Sequence, residues 1–300
     1  MGLAGLGLTA RAAAPLFPGV FRAPAYFTEL WVALGVVAFV LLVVLYLLKL
    51  LLHPQEVKRE IADPAQMGFR AALPVGATLV AGGLAPYAPQ AANAIWWAGV
   101  LGLVAFQLWA LYVIATRRTT LAQVNPGWLI LFVGGIVVPG SGIALGHLEA
   151  SRILFGISAV AAPFVVALLA YRAMTQPPLP APLRPSWFIL LVPPSLIYAH
   201  GVSLFRELLF LEDLYYVALA LLIGLLVYAR GLLRWPFGAA WWSFTFPLDA
   251  LAYAAARYAQ SHESPLWKGL AGLALLLATL SVALVLLRSV VPARRAQAVS

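Results

Sequence analysis

The chain has 300 residues, of which 63% are hydrophobic and 10% are charged, and its mean hydropathy is +0.95. Soluble domains are nearer half apolar and a quarter charged, so this composition excludes an ordinary soluble protein and indicates a polytopic membrane protein. The absence of cysteine excludes disulfides, thiolate metal sites and cysteine nucleophiles. The net charge of +9 would suggest nucleic-acid binding in a soluble protein. Here Lys and Arg occupy short loops between apolar segments, so we expect no nucleic-acid partner.

The apolar segments begin, in chain order, with a short stretch at 1–10. Nine longer segments follow, each able to cross the hydrocarbon core, which takes roughly 20 residues. No loop between them is long enough to separate two domains, so we expect one transmembrane domain over 1–300, with 289–300 as a tail. The predicted spans are 26–50, 67–86, 92–116, 127–147, 152–173, 186–206, 211–230, 237–259 and 267–288.

The Lys and Arg residues lie mainly on one side of these predicted spans. We count the stretch 1–10 as the first span, so that 26–50 is the second and 267–288 the tenth. Of the 19 Lys and Arg residues, 13 then follow even-numbered spans or lie in the C-terminal tail. Cytoplasmic loops carry the excess of Lys and Arg, so the charge pattern predicts a cytoplasmic C-terminus. We expect a multi-pass protein of the bacterial inner (plasma) membrane.

Prolines recur inside alternate predicted spans. The third span has Pro74, the fifth Pro139, the seventh Pro193 and Pro194, and the ninth Pro247. Proline interrupts a helix and frees a carbonyl, which a membrane tolerates where helices pack or where the backbone lines a cavity. The pattern predicts a repeated hairpin whose first helix is broken and whose second helix is not. We expect the broken helices to form an inner ring around a pathway, with the others outside.

Four stretches of the chain resemble the tellurite-resistance/dicarboxylate transporter family. This family includes the bacterial tellurite-resistance channel, the fungal malate and sulfite permeases, and the slow anion channels of plant guard cells. The stretches occur in the family's order, and the resemblance covers essentially the whole chain. It is closest in the ninth span, WWSFTFPLDALAYAAARYA. The four stretches are 56–74, 125–146, 188–199 and 241–259.

The resemblance implies an all-α integral membrane fold of ten helices in five hairpins. The resemblance further implies that the hairpins have pseudo-fivefold order around a central pore. The odd-numbered helices would line this pore, and proline kinks would narrow it. The resemblance also implies assembly as a homotrimer. It also implies a phenylalanine that plugs the pore as a gate, and the second Phe of WWSFTF, Phe246, matches it. Phe244 is expected to pack elsewhere. Family members usually have a full first helix, whereas 1–10 resembles only its second half. Either Met1 is an internal methionine of a longer product, or one pore wall is half missing.

Three other polar residues are candidates for a role in this pathway. Asp249 lies three residues after Phe246, and an acid inside a membrane span is a functional candidate by default. It either couples proton and anion movement or makes a structural hydrogen bond between helices. His200 either lines the outer vestibule or is packed and hydrogen-bonded. Arg70, with Lys58, Arg59, Arg117 and Arg118, either concentrates anions at the inner mouth or only sets topology.

The leading functional hypothesis is a gated channel for small monovalent anions such as chloride and nitrate. The alternative is a proton-coupled exporter or importer of organic acids (malate-like dicarboxylates), sulfite or tellurite. A membrane enzyme or haem protein is the least favoured, because the spans contain neither paired histidines nor a nucleophile–base arrangement. We predict no catalytic residue, no cofactor and no metal. The expected partners are small inorganic or organic anions and the lipid bilayer.

Overall fold

The computed structural model describes residues 1–20, 26–63, 66–116, 119–205 and 210–290. These residues form helices and no strands, and seven of their helical segments are long and apolar enough to cross a membrane. The predicted all-α integral membrane fold is therefore confirmed. The α-helices are α1 Gly2–Ala13, α2 Tyr26–Leu52, α3 Pro54–Ala62, α4 Met67–Arg70, α5 Ala72–Leu84, α6 Pro89–Ala115, α7 Gly127–Val133, α8 Pro139–Gly142, α9 Leu148–Thr175, α10 Val192–Leu204, α11 Leu211–Tyr228, α12 Thr245–Ser261 and α13 Pro265–Val290.

Burial divides the long helices into an inner and an outer set. In the most apolar part of the inner segments Met67–Leu84 and Ala181–Leu204, 67% and 72% of the residues are buried. The corresponding shares in the outer helices are 17% to 28%. Side chains that face lipid are exposed in the isolated chain, so the outer helices carry the lipid-facing surface. The outer set is α2, α6, α9, α11 and α13.

The inner helices contact one another in a closed order. α1 packs against α5 on one side and against α12 on the other. α5 continues to α7 and α8, and α10 packs against α12. The first and last inner helices of the chain therefore meet, and an outer helix is paired with each of them: α2 with α1, and α13 with α12.

The four inner predicted spans from residue 67 onward are each built from two or more helical segments. The span 67–86 contains α4 and α5, which are separated at Ala71. The segment 127–147 contains α7, a 3₁₀ turn Gly134–Ile136 and α8. The other two begin as 3₁₀ helices, Ala181–Leu191 and Ala239–Phe244, before α10 and α12 start. These changes of helical geometry occur in spans for which the proline pattern predicts a broken helix. Short 3₁₀ segments are frequent at the ends of α-helices and as connectors between them.

The prolines of the inner set lie in the first turn of an α-helix. Pro74 is the third residue of α5, Pro139 the first of α8, Pro193 the second of α10 and Pro247 the third of α12. The first N–H groups of a helix have no partner within the helix, so a proline there removes no hydrogen bond. The break therefore precedes each proline.

Proline content alone does not separate the inner and outer sets. Pro163 lies inside α9, an outer helix, and α9 nevertheless runs without a break from Leu148 to Thr175. A proline in a membrane helix is tolerated when the surrounding structure satisfies the freed backbone groups. What distinguishes the inner set is its degree of burial, and three of its spans also change from 3₁₀ to α geometry.

Candidate ion pathway

A cavity of about 1020 Å³ opens among the inner helices. Each inner wall contributes to it, and the side chains are almost all apolar. Five residues, one from each wall, are Leu3, Val80, Val137, Pro193 and Phe246. The mouth is lined by residues of the connecting segments, among them Gln66, Leu183 and Ala239. The cavity is open at this mouth, and Phe246 and Pro247 of α12 are part of its wall.

The outer helix α2 also lines the cavity, which the expectation of a lining from odd-numbered helices alone did not include. Gly35, Ala38, Phe39 and Leu42 of α2 face it beside Met1.

Phe246 borders this cavity and is 7% exposed. On its other side the ring reaches α1: a Cβ added at Gly5 would lie 2.9 Å from Phe246 Cδ2. Phe244 does not line the cavity, and its ring packs instead against Phe188 and Trp241, with 5.8 Å between centroids in both pairs. The two phenylalanines therefore lie in different surroundings, as expected.

Asp249 is 1% exposed and is not part of the cavity wall. At 3.6 residues per turn it is turned about 60° from Phe246, which brings it to the contact with α1. A Cβ at Gly5 would lie 2.8 Å from Asp249 Oδ2, and Thr9 Oγ1 donates a hydrogen bond to the Asp249 backbone oxygen at 3.1 Å. Neither carboxylate oxygen has a hydrogen-bond partner among the described residues. The structural hydrogen bond that the sequence favours for this side chain is absent there.

Beyond Phe246, the same face of α12 continues with Tyr253 and Arg257. They follow Phe246 by seven and eleven residues, which are nearly whole numbers of helical turns, so all three side chains share one direction. Arg257 is half-buried; its Nη2 donates to Ser203 Oγ and its Nη1 to Gln260 Oε1, both at 3.3 Å. A guanidinium is thereby held about 17 Å along the helix from the phenylalanine ring.

Arg257 differs from Arg11, another arginine on the inner helices. Arg11 makes a bidentate salt bridge with Glu29, at 2.5 and 2.9 Å. The hydrogen bond to Glu29 also raises the pKa of Tyr87 above its usual value. Arg257 makes no salt bridge with a described carboxylate, and its buried Nε has no hydrogen-bond partner there. No described carboxylate therefore neutralises the charge of Arg257.

His200 is 5% exposed and is held by the backbone of the broken inner segment. Its Nδ1 donates to the Ile136 carbonyl oxygen at 2.6 Å, and its ring lies 5.4 Å from the Tyr253 ring. A Cβ at Gly140 would lie 3.1 Å from His200 Nε2. The packed, hydrogen-bonded arrangement is the one that this geometry favours.

Arg70 does not line the cavity. Its guanidinium donates to the backbone oxygens of Glu60 and of Asp63, the latter at 2.8 Å, and lies 5.3 Å from the Trp109 ring. These contacts of Arg70 hold the C-terminal end of the short helix α3 against the bundle. Lys58 and Arg59 are exposed on α3, whereas Arg117 and Arg118 lie outside the described residues.

Of the five prolines singled out from the sequence, two border the cavity. Pro193 and Pro247 are part of its wall, whereas Pro74, Pro139 and Pro194 are not. Pro74 faces the outer helix α6, where a Cβ at Gly102 would lie 3.2 Å from Pro74 Cβ. These three prolines shape the inner helices without facing the cavity.

Sequence reasoning did not single out Gly5 or Arg257. Gly5 has no signal of its own within the glycine- and leucine-rich start of the chain, because its role depends on contact with α12 near the other end. Arg257 did have a signal, since it lies eleven residues after Phe246 on the same helix. Counting charges by loop placed it among topology residues instead.

The family model of the voltage-dependent anion channel SLAC1 matches residues 1–290. The S-type anion channel SLAH3 of Arabidopsis thaliana is 24% identical over 276 residues, which are 88% of this chain and 43% of that protein. The guard cell S-type anion channel SLAC1 of the same plant is 25% identical over 223 residues, 72% of this chain and 40% of that protein. An uncharacterized transporter of Methanocaldococcus jannaschii is 26% identical over 181 residues, 52% of each. The chain thus spans about half the length of these relatives, or less.

Proposed function

Because the chain belongs to the SLAC1 voltage-dependent anion channel family, we propose that it forms a gated pathway for small monovalent anions such as chloride and nitrate. The proposal rests above all on the mainly apolar cavity among the inner helices, whose wall includes the ring of Phe246. Two relatives are named S-type anion channels, which supports the class of permeant ion. The activity of this family is transport and not catalysis, so we propose no enzymatic step.

Phe246 is the proposed gate. An aromatic ring in an apolar constriction blocks ions by its size and by excluding water from the narrowing, as hydrophobic gates do. Conduction then requires the Phe246 ring to move out of the anion path. The ring would move into the cavity, because its contact with Gly5 of α1 leaves no room on the other side. The break at Phe244, where α12 takes over from a 3₁₀ helix, gives the backbone beside the ring a place to adjust.

Arg257 is the proposed anion-attracting charge of the pathway. It lies on the Phe246 face of α12 and has no carboxylate partner among the described residues. An uncompensated positive charge near a low-dielectric wall raises the local concentration of anions and repels cations. This residue would favour anions in a pathway whose cavity is lined mainly by apolar side chains, with Asp63, Gln66 and Ser243 as its polar ones.

A second candidate function is the proton-coupled transport of organic acids, sulfite or tellurite. The observation that favours it is Asp249, a buried carboxyl with no hydrogen-bond partner in the described part of the chain. Ionisable groups of this kind inside a membrane mark proton relays in pumps and transporters. Asp249 lies beside Phe246 at the contact with Gly5 of α1.

The remaining organisation is proposed from the charge pattern and the family resemblance. We take residues 1–300 as one transport domain and propose a homotrimer with one pathway per subunit. The excess of Lys and Arg would place the C-terminus in the cytoplasm, and we propose the bacterial plasma membrane as its location. Under this topology the cavity mouth at Gln66 and Leu183 faces the cytoplasm, and Arg257 faces outward.

The test is anion flux through proteoliposomes containing wild-type chain or Phe246→Ala. We expect low chloride and nitrate flux in the wild type and a rise of at least about tenfold in the variant, equivalent to about 1.4 kcal/mol of barrier. Phe164→Ala removes the same ring from a lipid-facing position of α9 that is 72% exposed, and should leave flux unchanged. Equal, measurable flux in all three would refute the gate and keep the pathway. If the wild type and both variants show no anion flux, even with a proton gradient across the membrane, the proposal of transport is refuted.

A further inference from the structure

A second cavity, of about 620 Å³, lies between the segment that leads into α10 and the segment that follows α11. Three arginines line it: Arg184 from one side, and Arg230 and Arg234 from the other. Tyr228 and Trp235 complete its wall. We call these five residues the arginine pocket. It shares no lining residue with the cavity that ends at Phe246.

No salt bridge among the described residues compensates the three positive charges of the arginine pocket. The salt bridges of the described residues involve Arg11, Lys49, Arg152 and His262, and none involves an arginine of the pocket. Like charges gathered around one cavity repel one another, and the repulsion is relieved when an anion binds between them. The arrangement therefore calls for a negatively charged ligand.

Guanidinium groups identify the chemistry of that ligand. Their planar forks match the oxygens of phosphate and bind them bidentately, which a single lysine ammonium cannot do. Arg230 and Arg234 are four residues apart in the 3₁₀ segment Ala229–Arg234, whereas Arg184 comes from the facing segment Ala181–Leu191. One phosphate group between them would bridge the two segments.

The surroundings of the pocket favour a lipid phosphate over a soluble one. The rings of Tyr228 and Trp235 lie 5.3 Å apart, and such amphipathic rings are enriched at the level of lipid headgroups. The last turns of α11, just before the pocket, expose Ile223, Leu226 and Val227 by 66%, 46% and 60%. An acyl chain can lie on this apolar surface while its headgroup enters the pocket. Basic pockets at the ends of membrane helices bind anionic headgroups in this way.

We infer that the arginine pocket is a binding site for the phosphate headgroup of an anionic phospholipid. Its two sides continue directly into the inner helices: Arg184 precedes Pro193 in the cavity wall, and Arg234 precedes the 3₁₀ segment that ends two residues before Phe246. A headgroup that bridges the two sides holds the entrances of α10 and α12 together. The site does not depend on which anion the pathway conducts.

The experiment measures the melting temperature of the purified full chain in detergent, with added lipid. A ligand that binds only the folded state raises that temperature, and the shift grows with the logarithm of the ligand concentration relative to its Kd. The lipids are phosphatidylglycerol and phosphatidylcholine with the same acyl chains, and inorganic phosphate is a separate arm. The variants are Arg184→Gln/Arg230→Gln/Arg234→Gln and a control that removes three exposed charges elsewhere, Lys58→Gln/Arg59→Gln/Lys268→Gln.

We expect phosphatidylglycerol, but not phosphatidylcholine or inorganic phosphate, to raise the melting temperature of the wild type and of the control. The triple arginine variant should lose this shift. An undiminished shift in that variant would overturn the site. A shift of the same size with inorganic phosphate alone would overturn the lipid as ligand and indicate a soluble phosphate compound.

The single variants Arg184→Gln, Arg230→Gln and Arg234→Gln keep the test decisive if the triple variant does not fold. Each should bind fewer phosphatidylglycerol molecules than the wild type, as counted by native mass spectrometry. The three single-charge controls Lys58→Gln, Arg59→Gln and Lys268→Gln should retain the wild-type number. Equal lipid counts in all six variants and the wild type would overturn the site.

Discussion

The ring of Phe246 lies against the backbone of Gly5, so that a Cβ on Gly5 would come 2.9 Å from Phe246 Cδ2. Gly5 belongs to α1 and Phe246 to α12, the first and last inner helices, which pack against each other. The same Cβ would lie 2.8 Å from Asp249 Oδ2. One missing side chain therefore permits the approach of both the proposed gate and the buried acid to α1.

Gly5→Ala is expected to destabilise the protein. An added methyl group in a filled contact forces its neighbours to move, at a cost of about 1–3 kcal/mol. Thermal unfolding in detergent measures the effect as a lower melting temperature. The matched control is Gly156→Ala in α9, where an added Cβ meets no atom within 4 Å.

The control variant should melt at or above the wild-type temperature, because replacing a mid-helix glycine by alanine is favourable by roughly 0.5–1 kcal/mol. If Gly5→Ala is as stable as Gly156→Ala, the close contact between α1 and the Phe246 ring does not exist in the membrane protein.

Arg257→Gln is expected to lower chloride flux without changing the protein's fold. The loss should be several-fold at low ionic strength and smaller at high salt, because salt screens the attraction between Arg257 and the entering anion. Measurement in the Phe246→Ala background gives a flux large enough to compare. Lys268→Gln removes the same charge from an exposed position at the start of α13, at the same end of the bundle, and should have little effect. Equal fluxes in the two variants would exclude Arg257 as the attracting charge.

Asp249→Asn separates the two candidate functions. In a channel, the substitution leaves chloride flux within about twofold of the wild type, because Asp249 does not line the cavity. In a proton-coupled carrier, it abolishes uptake of malate driven by an inward proton gradient. The measurement is flux of both anions with and without a pH difference across the proteoliposome membrane. Gradient-driven malate uptake that is present in the wild type and lost in the variant would replace the channel proposal by the carrier.

Pro247→Ala and Pro163→Ala should have different effects on stability. Pro247 lies in the first turn of α12, where an alanine N–H finds no helical partner, so we expect a change within about 0.5 kcal/mol. Pro163 lies inside α9, where alanine restores a hydrogen bond to the carbonyl of Ala159 and removes a ring that clashes with it. We expect Pro163→Ala to raise the melting temperature. The opposite order of stabilities would show that α12 continues through Phe244 as an uninterrupted helix.

Proline positions predict only part of where the helices are interrupted, because they reflect local sequence alone. Pro139, Pro193 and Pro247 predict interrupted spans, because proline acts on its own turn of helix. Where each interruption lies, and why α9 tolerates Pro163 without one, depends on how neighbouring helices pack. The sequence pattern therefore predicted the alternation of broken and unbroken spans, but not the 3₁₀ segments that produce it.

For the candidate site too, the sequence indicates some residues, and others depend on the tertiary structure. Phe246 was identified through a family resemblance carried by its own stretch, WWSFTFP, and its position in the cavity wall is consistent with the proposed role. Asp249 was noticed because an acid is unusual in an apolar span, yet its lack of a hydrogen-bond partner among the described residues could be seen only in the folded chain. The role of Gly5 could not be predicted from the sequence, because it depends on contact with Phe246, which lies near the other end of the chain.

The sequence by itself determined that this is a multi-pass membrane protein with alternating broken spans, because hydropathy, length and proline act through neighbouring residues. Only the tertiary structure decided which side chains border the cavity, that α2 joins its wall, that Arg257 lacks a carboxylate partner among the described residues, and that three arginines share one pocket. These properties depend on distances between residues far apart in the chain, and packing of the whole bundle sets those distances.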